Sequence, residues 1–370
     1  MKRSTRISSI EIFKADLELK EPFRTSLAEI NCANNLVVRV YLQDGLYGTG
    51  EARPNPPVTG ETQGSAFIAG KRLSSCLIGK DALDIENRMA ELDRHLTKNS
   101  ALKSAFDIAL YDLLGKTADL PLYAVLGGSR RSFWTDNTVS IGLPEVMARK
   151  ACEYKEQGFK ALKVKLGGIP AVDIARIHEI RKMVGIDIPI RIDANQGWNF
   201  KQALKILTEL EQMNIDYCEQ PLVHWDHANM RRLKERVSIP IMADESLFGP
   251  QDAFKLAADG CCDLFNIKLA KSGGIHNGLK INAIGEGAGI ACMAGCMTET
   301  RLALTAAAHL VSARPNIMFC DLDGHTSMKI DPVSGGAEYK AGEILLPVSP
   351  GHGADFDADF LDTCESIVVK

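Results

Sequence analysis

From about residue 135 to 326 the chain repeats one unit, a short apolar run followed by an amphipathic helical pattern. The apolar runs are TDNTVSIG, FKALKVKLG, IPIRIDANQG, IDYCEQPL, IPIMADES, CDLFNIKLAKSGG, GIACMAGCMTET and NIMFCDLDG. Between them lie helical patterns such as PEVMARKACEYKEQG, AVDIARIHEIRKMVG and FKQALKILTELEQMN. Parallel strands need a crossover between them, and a helix supplies it. Eight strands with seven intervening helices in about 190 residues therefore predict an α/β fold closed into a parallel barrel. An open doubly wound sheet would carry a G-x-G-x-x-G turn after its first strand, and none is present.

The flanks have a different rhythm. ISSIEIFKADLEL and NLVVRVYLQDGLYGTGEA alternate with period two and read as antiparallel strands, with KEPFRTSLAEINCAN as a loop between them. Residues 62–115 are helical, most clearly in SALKSAFDIALYDLLGKTADL. Gly127-Gly128 punctuates the end of this region. Beyond 326 the pattern turns to short strands and turns, a segment expected to return to the N-terminal domain. Charge is balanced, 43 basic residues against 47 acidic, which argues against a nucleic-acid partner. No run approaches the roughly 18 apolar residues of a membrane span. The basic opening MKRSTRISSI lacks the apolar core of a signal peptide and reads as the approach to a strand. The ten cysteines are scattered, without C-x-x-C, and neither Cys261-Cys262 nor Cys292/Cys296 has a matching His pair. They are expected to be reduced thiols of a cytoplasmic protein.

In a βα barrel the chemistry sits where strands end. Three acids fall there: Asp193 in IRIDANQG, Glu219 in YCEQPL and Asp244 in IMADES. They are 26 and 25 residues apart, one βα unit each, which puts them on strands three, four and five at one rim. Singly, each could cap the following helix. Together they would repel unless a cation lay among them, and all-oxygen donors suit Mg²⁺ first and Mn²⁺ second. Lys163 and Lys165, two apart on strand two, project to one face, while Leu162, Val164 and Leu166 form the other. A strand covered on both sides has no solvated face, so both amines are expected inside the barrel. There they would lower each other's pKa values and make one a usable base. Lys268 lies on strand six, opposite strand two in a closed ring of eight. A substrate held at the acids would then have an amine on each side. Two opposed bases suit racemisation or epimerisation next to a carboxylate, with the charge at the carbon stabilised by the ion. One base would suit elimination or cycloisomerisation. A Schiff-base aldolase using one barrel lysine, or a barrel that only binds, are the readings outside this chemistry.

The order Lys-x-Lys, Asp, Glu, Asp, Lys, with GEARPNP and PLYAVLGG, resembles the enolase superfamily, and within it the muconate-lactonizing-enzyme subgroup. The likeness covers essentially the whole chain. It implies a modified (β/α)7β TIM-type barrel over 131–326. It also implies an α+β capping domain over 1–130, joined by the C-terminal segment 327–370. For the site it implies Mg²⁺ on Asp193, Glu219 and Asp244, and Lys165 as one acid/base with Lys163 assisting. Lys268 would be the other acid/base, and Asn195 and Glu245 would stand behind the metal ligands. It further implies an oligomeric isomerase.

Muconate cycloisomerases, o-succinylbenzoate synthases, N-acylamino-acid racemases and dipeptide epimerases share these residues. Asp321 and Asp323 in FCDLDGH, two apart on the last strand, could hold a substrate ammonium. They resemble the pair by which dipeptide epimerases hold a dipeptide's N-terminal amine. Arg24, in the cap segment EPFRTS, resembles the cationic residue that holds the glutamate carboxylate in L-Ala-D/L-Glu epimerases. Thr298 in GCMTET is expected to line the pocket. The implied activity is Mg²⁺-dependent epimerisation of a small dipeptide, most closely L-Ala-D/L-Glu, in murein-peptide breakdown. His224 and His227 form no ligand pattern legible from spacing.

Overall fold

A computed structural model describes residues 4–370. The first three residues of the basic opening lie outside the described residues. The repeating unit forms an eight-stranded parallel sheet in chain order: Asn137–Val139, Leu162–Lys165, Ile190–Asp193, Ile215–Glu219, Ile241–Ala243, Leu264–Lys268, Ala291–Gly295 and Ile317–Asp321. These are barrel strands one to eight. The first and last meet where Asp136 N–H donates to Cys320 O at 3.4 Å and Leu322 N–H to Thr135 Oγ1 at 2.8 Å.

Outward-facing Leu162, Val164, Ile190, Ile192, Phe265 and Ile267 are buried against the surrounding helices. Local sequence starts those helices cleanly. Proline opens Pro144–Glu156, Pro170–Val184 and Pro250–Asp259, where its missing N–H costs nothing. Asn199 and Gln202 form a capping box on Phe200–Glu209. One end of the barrel interior is filled by Tyr217, Met242, Leu264 and Met293, with Phe319 against them. The Arg191 guanidinium lies 5.1 Å from the Phe319 ring and pairs with Asp136 at 2.9 Å. Only the other end is left for chemistry.

The cap is a four-stranded antiparallel sheet in the order Ser366–Val369, Ile7–Arg24, Glu29–Leu42, Tyr47–Ala52. The chain's end thus joins its beginning, with Val369 opposite Ile10. Other parts of the C-terminal segment pair elsewhere: Glu343–Leu345 with Phe133–Trp134, and Val333–Gly335 with Ala354–Phe356. The expected loop KEPFRTSLAEINCAN is a correction. Its two halves continue the flanking strands to Arg24 and from Glu29, leaving only Thr25–Ala28 as the turn. The cap helix Ser100–Ala118 crosses Tyr47–Ala52 at close range. A Cβ on Gly48 or Gly50 would stand 2.1 Å from Ala109 O or 1.9 Å from Ala105 O, so GTG is what allows the approach. Cap and barrel are tied through Glu51, whose buried carboxylate accepts from Thr300 N–H at 2.9 Å, Thr300 Oγ1 at 2.6 Å and Ala303 N–H at 3.2 Å. Among the described residues no helix is long and apolar enough to cross a membrane.

Candidate active site

Strand register assembles the site. Lys165, Asp193 and Glu219 are ladder neighbours across strands two, three and four. Lys268, Gly295 and Asp321 are neighbours across strands six, seven and eight. Asp244 follows strand five. The side chains of Lys165, Asp193, Glu219, Asp244, Lys268 and Asp321 are all buried. Lys165 Nζ donates to Asp193 Oδ2 at 2.5 Å. Lys163 Nζ lies 2.5 Å from Asp321 Oδ2, 2.7 Å from Glu219 Oε2 and 3.3 Å from Asp193 Oδ2. On the far side, Lys268 Nζ is 2.9 Å from Asp244 Oδ2 and 3.6 Å from Glu219 Oε1. Asn195 Nδ2 donates to Glu245 Oε1 at 3.2 Å, and its N–H to Asp193 Oδ1 at 2.9 Å. Asn195 and Gln220 hold positive φ, 40° and 36°, just beyond two of the acids. Such backbone is costly for a residue with a side chain and gathers at functional sites.

The lysines do not behave as spacing alone suggests. Burial works against the charged amines of Lys163 and Lys268. The carboxylates of Asp321, Glu219 and Asp193 around the first, and Asp244 and Glu219 around the second, outweigh it and hold both above the ordinary lysine range. The expectation of mutual depression within the Lys163/Lys165 pair is therefore corrected for Lys163: the acids facing it dominate. Burial also opposes charge on Asp193 and Asp244. Lys165 and Lys163 still hold Asp193 below the usual carboxylate range, and Lys268 and Lys271 do the same for Asp244. Glu219 is pushed up to about 7 by burial and Asp193, and Glu245 to about 8 by burial and Asp244.

The donor set fits a hard divalent ion. Asp193, Glu219 and Asp244 are all oxygen donors on adjacent strand ends, with no imidazole or thiol among them. Glu219 Oε2 and Asp244 Oδ1 accept no hydrogen bond, although each faces an amine, Lys163 at 2.7 Å and Lys271 at 2.9 Å. Glu245 Oε2 accepts none either. Burial first, and then the neighbouring carboxylates, lift Glu219 and Glu245, and a cation among the acids would relieve the second of these. The triad is not drawn into a tight cage, because its oxygens turn to the lysines. The trios whose donor atoms come within 4.8 Å of one another among the described residues are Cys296–Asp321–Asp323 and His227–Asp259–Cys261.

A cavity lies over the acids, and Lys165, Lys268, Asp244, Glu245, Asn195, Thr298, Asp321 and Asp323 all line it. Asp323 Oδ2 accepts from Thr138 N–H at 2.7 Å, and Cys296 Sγ donates to Asp323 Oδ1 at 3.7 Å. Burial and neighbouring Asp321 push Asp323 up to about 6. Thr298 Oγ1 accepts from Arg53 Nε at 2.8 Å. The roof is mostly apolar, with Phe23, Leu27, Ala28, Ile30, Pro57 and Val58 beside the polar Thr25 and Asn55. Arg24 is not brought to the cavity, which corrects the expectation for it. The strand pairing resumes after a register shift between Glu18 and Phe23, and there Phe23 lines the cavity while Arg24 is left outside. There its Nε meets the cross-strand partner Glu29 at 2.7 Å, both side chains about half exposed.

Sequence reasoning missed three supports. Lys271 Nζ, fully buried, lies 2.9 Å from Asp244 Oδ1 and donates to Leu247 O at 2.5 Å. Asn266 Nδ2 donates to Glu219 Oε1 at 2.8 Å. Gln220 Oε1 accepts from Asp244 N–H at 2.9 Å and Ser246 N–H at 3.1 Å, fixing the fifth strand's end. The signal for Lys271 was its place three residues after Lys268 in KLAKSGG.

Two family profiles cover most of the chain: "Enolase C-terminal domain-like" over residues 146–360, and "Mandelate racemase / muconate lactonizing enzyme, N-terminal domain" over residues 7–127. The chain belongs to the enolase superfamily. This enolase-superfamily chain is 42% identical over 366 residues to the D-Ala-D/L-Ala epimerase of Cytophaga hutchinsonii, covering 98% of this chain and 100% of that one. It is 41% identical to the L-Ala-D/L-Glu epimerase of Clostridium acetobutylicum, covering 94% and 98%. To the hydrophobic dipeptide epimerase of Enterococcus faecalis it is 41% identical, covering 92% and 96%. A crystal structure of the dipeptide epimerase from Cytophaga hutchinsonii, complexed with Mg and D-Ala-L-Val, superposes with a TM-score of 0.97 at 41% identity, covering 99% and 100%. Like these relatives, the chain is an isomerase.

Proposed function

We propose that this enzyme epimerises the C-terminal residue of a dipeptide by 1,1-proton transfer, and that it favours a neutral, small or apolar side chain there. The carrying observation is that Lys165 and Lys268, from strands two and six, line one cavity with Asp321 and Asp323 beside them. Asp321 and Asp323 offer two carboxylates to the dipeptide's N-terminal ammonium, which fixes how deep the substrate sits. Its second α-carbon then lies between the amines. One lysine, neutral at that moment, takes the α-proton; the other, protonated, returns one to the opposite face. Lys268 Nζ faces Asp244 Oδ2 at 2.9 Å and Glu219 Oε1 at 3.6 Å, and it exchanges the acid and base roles with Lys165 according to which diastereomer is bound. Lys163 bridges Asp321, Glu219 and Asp193 and adds positive charge beneath the substrate carboxylate. Asp193, Glu219 and Asp244 would hold Mg²⁺, which supplies charge to stabilise the anion left at the α-carbon.

The side-chain preference is supported by the mostly apolar roof, and by relatives named for D-Ala-D/L-Ala and for hydrophobic dipeptides. The finer expectation of L-Ala-D/L-Glu, with its murein setting, has support in the Clostridium relative. It needs a cation for the glutamate, and Arg24 would have to leave Glu29 and turn inward to supply one. A cycloisomerase acting on an amine-free diacid would meet repulsion from Asp321 and Asp323. Proton NMR in D₂O with Mg²⁺ tests the reading on L-Ala-L-Ala, L-Ala-L-Val, L-Ala-L-Leu and L-Ala-L-Glu. The expected result is loss of the second residue's α-proton signal, faster for the neutral dipeptides. Faster exchange with L-Ala-L-Glu would replace the apolar preference. No exchange with any dipeptide would remove the epimerase reading.

A further inference from the structure

We propose that His227, Asp259 and Cys261 form a second metal site, separate from the acids of the barrel mouth and suited to a borderline-soft ion such as Zn²⁺. Their donor atoms lie within 4.8 Å of one another, and none of the three lines the catalytic cavity. One imidazole, one carboxylate and one thiol leave a fourth, tetrahedral position for water, and nitrogen and sulfur donors select zinc over magnesium. Among the described residues none of these three side chains makes a hydrogen bond or ion pair, so binding would displace no partner.

The ligands are held in place by local structure. His227 opens the helix His227–Lys234, whose first turn is capped by Asp226 accepting from Asn229 N–H at 3.2 Å. Asp259 and Cys261 flank Gly260, which ends the helix Pro250–Asp259 in the left-handed conformation at φ 64°. Gly260 N–H donates to Ala257 O at 3.2 Å and Cys261 N–H to Leu256 O at 3.1 Å. That double closure of the helix end sets the two side chains beside each other. The buried thiol forms the base of the site and the exposed carboxylate its open side. Three cations lie on the same helix as His227, of which Arg232 donates to Asn229 Oδ1 at 2.8 Å. Arg231 is engaged by Glu235 at 3.0 Å and Lys234 by Asp263 at 3.2 Å, which blunts their repulsion of an ion. Binding exchanges the Cys261 thiol proton, released to solvent, for a metal–sulfur bond, with no change of oxidation state. An ion here would join the helices that follow strands four and five to the approach to strand six, which carries Lys268.

The test is a Co²⁺ titration of the intact protein in excess Mg²⁺, read by the thiolate-to-cobalt charge-transfer band and the tetrahedral visible bands, followed by displacement with Zn²⁺. One equivalent of Co²⁺ with a thiolate band is expected. The band is lost in Cys261→Ser, affinity falls at least tenfold in His227→Ala, and Cys296→Ser keeps both. Zn²⁺ should raise the melting temperature of the parent protein and not of His227→Ala. This partly exposed position also carries the test if Cys261→Ser fails to fold. Absence of a thiolate band overturns the proposal. So does its survival in Cys261→Ser, an unchanged Co²⁺ affinity in His227→Ala, or its loss in Cys296→Ser, which would place the ion at Cys296–Asp321–Asp323 instead.

Discussion

The floor and the roof of the cavity are built in different ways. The floor is a ring of charged side chains at the ends of strands two to six and eight, placed by ladder register and locked by ion pairs of 2.5–3.6 Å. The roof is a hairpin turn and the separate segment at Pro57 and Val58, with mostly apolar side chains. The hairpin tip is tied to the barrel rim by Ser26 Oγ, which donates to Ala194 O at 3.0 Å and Asn195 O at 2.7 Å. A group that moves a proton must hold its place to a fraction of an ångström, so it belongs on strands. A group that only selects a side chain can sit on a turn that yields. The floor should therefore control turnover, and the roof should control which dipeptide is turned over.

The largest effect is expected on the floor. Lys165→Ala or Lys268→Ala should lower kcat by about 10³-fold or more with little change in KM, measured by polarimetry or NMR. Equal losses in KM would make the lysines binding groups and collapse the distinction. Next is Asp321→Asn, at the floor's edge. It should raise dipeptide KM about 10- to 100-fold, as expected for losing a charge-assisted hydrogen bond worth roughly 1.5–3 kcal/mol. Asp323 adds a pH signature. Its carboxyl is raised to about 6, so it is charged above that pH and neutral below it. KM should therefore climb as pH falls through about 6, and Asp323→Asn should show a high KM without that limb. The roof should answer more gently and selectively. Phe23→Ala should lower kcat/KM for L-Ala-L-Leu roughly tenfold, consistent with the ~1–3 kcal/mol that one apolar contact contributes, and spare L-Ala-L-Ala. Smallest of all, Arg24→Ala should change neither neutral dipeptide by more than about twofold, since an exposed pair contributes only about 0–1 kcal/mol. A large loss confined to L-Ala-L-Glu would instead bring Arg24 into the site.

Legibility in the sequence follows the same division. The barrel could be read because each unit carries its own marks, an apolar run and a capped helix. A lysine such as Lys165, on a strand covered on both faces, has nowhere to point except inward. Asp193, Glu219 and Asp244 were legible because one βα unit separates each from the next. The roof was less so. KEPFRTSLAEINCAN reads as a loop because a register shift between Glu18 and Phe23 breaks the alternation, and spacing does not show that pairing resumes at Phe23 and Arg24, opposite Ile30 and Glu29. The electrostatics escaped for another reason. Spacing shows Lys163 beside Lys165, but not that Asp321, from 158 residues away, closes on it at 2.5 Å. The cluster of His227 with Asp259 and Cys261 escaped likewise, because the fold, not the spacing, joins its segments.

The most direct test of opposed lysines is deuterium uptake at the second α-carbon in D₂O, followed separately from the L,L and the L,D dipeptide. Lys268→Ala should stop interconversion yet leave exchange in one diastereomer, and Lys165→Ala should leave it in the other. Exchange surviving in both diastereomers after either single substitution would mean that one base serves both faces, and the account would fail.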